Sequence, residues 1–173
     1  MIFKNAKTGA FIISSNPFNH RQEFLYFVSH LLPKLTSPLT SAALTTKQYN
    51  KIESEFHPSV IAAMGYNHTW PNALRCGTHQ YGGLQMKSLE VEALIKQNQC
   101  LRSLMNKDKT HKLILIMFSW YQYISGTFFP ILEQNNQPTQ HLNSVWITDF
   151  IRLLNKFNVQ LKLRKKNIRK HQR

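Results

Sequence analysis

The chain has 173 residues, with 22 Lys and Arg against 8 Asp and Glu for a formal charge of +14, and 42% of its residues are hydrophobic and 12% aromatic. That length and apolar content suit one packed domain and exclude collagen-like, low-complexity and wholly disordered chains. The charge favours a polyanionic partner, nucleic acid or an anionic membrane surface, and says little about fold.

The helical pattern begins at Asn19, which leaves residues 1–18 as an irregular N-terminal segment. Asn19 can cap a helix in which Phe24, Leu25, Val28, Leu31 and Leu32 recur at three- and four-residue spacing until Pro33. The prolines and hydroxyl residues of Pro33–Ser41 read as a loop. Thr45-Thr46-Lys47-Gln48 has the spacing of a capping box, and the helix it opens should run from about Thr46 to Phe56. Pro58 disfavours helix at His57, although Ser59–Met64 can add a turn or two before Gly65 supplies a left-handed stop.

Gly65–Gly83 reads mostly as loop, with Gly82-Gly83 as a tight turn where backbones pack closely. Ser88 can cap a helix to about Met105, with Glu90 and Glu92 in its first turn and an apolar stripe of Val91, Leu94, Ile95, Leu101, Leu104 and Met105. After the polar link 106–109, Thr110 can cap a strongly apolar helix ending near Gly126, which is the expected centre of the core. Glu133–Asn143 is polar and reads as a surface loop, and Ser144 can cap a last amphipathic helix carrying Trp146, Ile147, Phe150, Ile151, Leu154 and Phe157. Val159, Leu161 and Leu163 then alternate with polar residues, which suits a short strand. The expected fold is therefore mainly α: a single helical bundle-like domain over 19–164 with a short C-terminal strand, and a basic tail over 165–173.

Cys76 and Cys100 show nothing of the dense spacing of secreted disulfide scaffolds, and the short apolar stretch Ala10–Ile13 falls below a signal-peptide core. Reduced thiols and a nuclear or cytoplasmic location fit better. Leu113–Leu132 is uncharged over the length of a bilayer span, but Gln122 would sit near the bilayer centre, and Gly126 and Pro130 interrupt the helix. The membrane alternative, in which this segment inserts and the tail rests on anionic lipid, is therefore the lesser reading.

Two-metal phosphoryl chemistry needs convergent carboxylates, and Glu53 with Glu55, like Glu90 with Glu92, point to different faces of a helix. His57, His68, Cys76, His79 and Cys100 include a close Cys76/His79 pair, but no second pair completes a zinc spacing. A Cys76 or Cys100 nucleophile has histidines available and no orienting third group in the pattern. Neither a metal nor a cofactor is expected. The strongest signal is electrostatic: Lys162, Arg164, Lys165, Lys166, Arg169, Lys170 and Arg173 fall within twelve residues without an acid. Such a run can neutralise several phosphates, positions a strand without reading bases, and also resembles a nuclear import patch.

Leu32-Pro33-Lys34-Leu35, Pro38-Leu39, Leu44-Thr45 with Lys47-Gln48, Met64-Gly65-Tyr66-Asn67, Pro71 and Tyr81-Gly82-Gly83-Leu84-Gln85-Met86 follow one another in Leu31–Met86. In that order they resemble the region downstream of the catalytic palm in retroelement reverse-transcriptase-like proteins. Arg102, Gln122, Gly126, Pro130-Ile131-Leu132 and Trp146-Ile147 continue the resemblance to about Phe157. It implies a thumb- or connection-like helical region that holds a primer–template or an adjacent palm domain. The family's polymerase site is a Tyr/Phe-x-Asp-Asp turn, and this chain has no Asp-Asp pair, so no catalytic residue is carried over. The implied protein is a non-catalytic remnant of such an element, an incomplete fragment binding RNA or DNA non-specifically through its basic residues.

Overall fold

The computed structural model describes residues 2–67, 69–106, 108–128, 130–132 and 145–161, and these are mainly helical. The chain divides into two compact units, Met1–Leu104 and Met105–Arg173, where the sequence suggested one body over 19–164.

The first unit opens with helix α1 (Ile2–Ser15), in the stretch expected to be irregular. Its buried face is Ala6, Gly9, Ala10 and Ile13, mostly small residues with little hydrophobic signal of their own. What stabilises it is a partner helix, α4 (Thr46–Ala63), whose Tyr49, Ile52, Phe56, Val60 and Ile61 are buried in the same core. Phe3 lies beneath Lys51 and Lys7 faces Glu55, each pair four residues further along both helices, so α1 and α4 run parallel.

Asn19 caps α2 (His20–Tyr26) as the sequence predicts: its side chain accepts from Gln22 N at 2.9 Å, and Gln22 Oε1 accepts from Asn19 N at 3.0 Å. Pro33 does not end the helical run. A π turn over Phe27–Leu31 shifts the register, with Leu32 N–H donating to the Phe27 carbonyl, and α3 (Leu32–Thr36) continues with Pro33 in its first turn. The register shift of the π turn just before it accommodates the residue that lacks an N–H. A 3₁₀ turn over Ser37–Thr40 follows, so most of the expected loop is helical. The buried face is Glu23, Phe27, Leu31, Leu32, Leu35 and Thr36, so Leu31 and Leu32 of the predicted stripe are buried while Leu25 and Val28 are exposed.

The Thr45/Gln48 capping box is present, with Thr45 N donating to Gln48 Oε1 at 2.8 Å. Helix α4 passes through Pro58 without a break. Pro58 and Ser54, whose carbonyl loses its partner there, are both exposed, so water can take the missing bond. Gly65, at φ +80°, closes α4 in a Schellman motif in which Gly65 N–H and Tyr66 N–H donate to the Ala62 and Ile61 carbonyls.

Short α5 (Asn72–Cys76) leads into a loop closed by Leu84, Gln85 and Met86 N–H groups on the Leu74, Gly77 and Arg75 carbonyls. A Cβ at Gly83 would fall on the Gly77 backbone, which is the close approach that the glycine pair suggested. Helix α6 (Leu89–Met105) buries Leu89, Ala93 and Leu94, whereas Val91 and Ile95 are exposed. Buried Gln97 ties it to the 3₁₀ turn, donating through Nε2 to the Leu39 and Ala42 carbonyls at 3.1 Å each.

In the second unit, α7 (Asp108–Ser125) is not the centre of a core. Only Phe118, Tyr121 and Ser125 are buried among its described residues, and Leu113, Ile116, Met117, Trp120, Tyr123 and Ile124 are exposed. It ends at Ser125, with Gly126 at φ +67° forming a second Schellman closure, so Leu113–Leu132 is not one helix. No helix among the described residues is long and apolar enough to cross a membrane.

Helix α8 (Trp146–Lys156) packs Ile147 and Ile151 against Tyr121 and Ile131. Its first turn is held by Thr148, whose hydroxyl accepts from Val145 N–H at 2.8 Å; the predicted cap Ser144 lies outside the described residues. The predicted strand is absent from Val159–Leu161. Instead Asn158, at φ +53°, lets Asn158 and Val159 N–H close α8 on the Asn155 and Leu154 carbonyls, and the rest of the predicted strand, Leu163 included, lies outside the described residues.

Candidate nucleic-acid interface

The basic run begins one residue beyond the last point the structure describes. Leu161 donates its N–H to the Leu132 carbonyl at 2.9 Å, so the backbone is tied to the second unit immediately before the run. Lys162, Arg164, Lys165, Lys166, Arg169, Lys170 and Arg173, the predicted phosphate contacts, lie outside the described residues.

The parallel pair α1 and α4 carries a second set of cations. Lys4 and Lys7 on α1, and Lys47 and Lys51 one turn apart on α4, are all exposed. One carboxylate, Glu55, stands 3.9 Å from Lys7, and Lys51 Nζ lies 5.6 Å from the Phe3 ring centroid. Their spacings of three and four residues put each pair on one side of its helix. The sequence held that signal, but residues 1–18 had to be helical for it to count.

The carboxylates that might have served metal chemistry are structural. Glu53 Oε1 accepts from Ser88 Oγ at 3.0 Å and from Leu89 N at 2.6 Å, so a side chain of α4 caps α6 in place of the predicted Ser88 hydroxyl. Buried Glu90 accepts from Thr46 Oγ1 at 2.8 Å, and buried Glu92 pairs with Lys87 at 3.0 Å. Among the described residues, no three His, Cys, Asp or Glu side chains are placed to hold one ion.

His57 and Arg75 do meet. Arg75 Nη1 lies 3.5 Å from His57 Nδ1, and since a guanidinium only donates, the imidazole nitrogen must accept. Burial, assisted by the Arg75 charge, lowers the His57 pKa to about 4, so the ring is neutral at pH 7. Cys76, next in the chain, is exposed by area, yet the groups packed on it and the Glu53 carboxylate raise its pKa and outweigh Arg75. A thiol held protonated is the opposite of an activated nucleophile. Cys100 is also free. His68 and the side chain of His79 lie outside the described residues.

No family model, curated protein or solved structure matches the chain.

Proposed function

We propose that the chain is a non-catalytic, mainly helical nucleic-acid-binding polypeptide, a remnant of a retroelement reverse-transcriptase-like protein, acting in the nucleus or cytoplasm. The observation that carries this reading is the run of seven Lys and Arg without an acid between Lys162 and Arg173. Each phosphate neutralised there releases counterions, which supplies affinity for RNA or DNA without sequence preference. Exposed Lys4, Lys7, Lys47 and Lys51 add a lesser cationic surface on the first unit. The missing Asp-Asp pair supports the non-catalytic part, and a palm domain is the protein partner that the resemblance implies.

The test is binding of a labelled duplex across a salt series, with and without residues 162–173. If most of the run engages phosphates, affinity falls by about 10³-fold or more between 50 and 200 mM salt, and the slope flattens on deletion. Unchanged affinity and slope after deletion would refute the assignment of the tail.

A further inference from the structure

Residues 105–173 carry +9 of the chain's +14, with acids only at Asp108, Glu133 and Asp149. Asp149 is taken up by Arg152 at 2.7 Å. On this basic unit three rings face solvent: Phe128 is 95% exposed, Tyr123 78% and Trp120 63%. Trp120 and Tyr123 are stacked, with centroids 5.9 Å apart and planes 28° from parallel.

The left-handed turn at Gly126 carries the chain away from the end of α7 and leaves open space beside itself. An open groove of about 530 Å³ results, lined by Ser119, Gln122, Tyr123, Gly126, Thr127 and Phe128. Two of its hydroxyls are engaged: Ser119 donates to the Leu115 carbonyl at 2.9 Å, and Thr127 pairs with Ser125 at 3.0 Å. The Gln122 side-chain amide makes no hydrogen bond among the described residues, so one donor group and one acceptor are available at a groove whose lining includes the Tyr123 and Phe128 rings.

We propose that this groove is a stacking site for an unpaired nucleobase, held on the exposed Tyr123 and Phe128 rings with its edge on the Gln122 amide. The proposal rests on the nucleic-acid reading above and adds a preference for single strands. Aromatic faces accept any base, and an amide can bond a base edge in two directions, so the site favours bases without selecting a sequence. A lipid chain fits less well, because it would strip water from the Gln122 amide and return no hydrogen bond.

The experiment compares binding of the full-length chain to a labelled oligo-dA and to an abasic strand with the same number of phosphates, at one salt concentration. The base-bearing strand should bind about tenfold tighter. Tyr123→Ala and Phe128→Ala, at exposed positions, should each remove several-fold of that advantage and leave the abasic strand unaffected. Deletion of 162–173 should weaken both strands by the same factor. Equal affinity for the two strands overturns the stacking site while leaving the nucleic-acid reading in place, and so does an equal loss for both strands in the alanine variants. Failure to bind either strand overturns both. Binding to phosphatidylserine vesicles that the two alanine variants lose, with oligonucleotide affinity unchanged, assigns the groove to lipid and overturns the proposal.

Discussion

Gly9 shows how one atom decides the α1–core contact. A Cβ there would run into the Leu31 side chain, which is buried and cannot swing away freely. Alanine gains about 1 kcal/mol of helix propensity over glycine, whereas overpacking a filled core costs about 1–3 kcal/mol. Gly9→Ala should therefore destabilise the first unit by up to about 2 kcal/mol, measured by denaturant unfolding, whereas a stability gain would mean that Leu31 yields. His57 sets a pH dependence. Its pKa is about 4 in the fold against 6.5 for an ordinary solvated imidazole, so the unfolded chain takes up the proton first. The contribution is fully present above about pH 6.5 and is lost as pH falls toward 4, roughly 3 kcal/mol at most for a side chain this buried. His57→Gln should flatten that part of the stability–pH curve, and a variant curve parallel to the wild type would show that other groups produce the slope.

Among the elements, α6 depends on a residue that belongs to α4. Glu53 accepts from both Ser88 and Leu89 at the start of α6, and charge-assisted bonds of this kind are worth about 1.5–3 kcal/mol. Glu53→Ala should cost the first unit about that much and Glu53→Gln less, because the amide retains one acceptor; equal stability of all three proteins would show that Ser88 caps unaided. Helix boundaries set by local hydrogen bonding were legible in the sequence: the Asn19 cap, Thr45 with Gln48, and the Gly65 and Gly126 stops. Boundaries that depend on what lies across the core were not. Ala6, Gly9 and Ala10 carry little apolar signal, and α1 becomes visible only once α4 is beside it. Pro33 and Pro58 suggested breaks because each lacks an N–H, yet a π turn absorbs the first and an exposed carbonyl the second. The reading of α7 as core failed for another reason: its composition is apolar nearly all round, and composition cannot say which side meets a neighbour.

At the scale of the molecule, the two compact units predict separable folding. Residues 1–104 contain the cluster from Ala6 to Ala93 and the hydrogen bonds that tie α4 to α6. Produced alone they should stay helical and unfold cooperatively; a non-cooperative melt would show that the first unit needs the second. Charge divides along the same boundary, +5 on residues 1–104 and +9 on the rest. The candidate site is thus legible as a run of cations, while the groove at the end of α7 needed the turn at Gly126 and could not be seen in a linear pattern. The most direct test of nucleic-acid binding through residues 162–173 is anisotropy of a labelled strand titrated with the full-length chain and with the chain ending at Leu161, at several salt concentrations. The predicted result is tight binding by the full chain with a steep salt slope, and binding weakened more than tenfold with a shallower slope when the seven cations are removed. Identical affinities and slopes for the two proteins would contradict it.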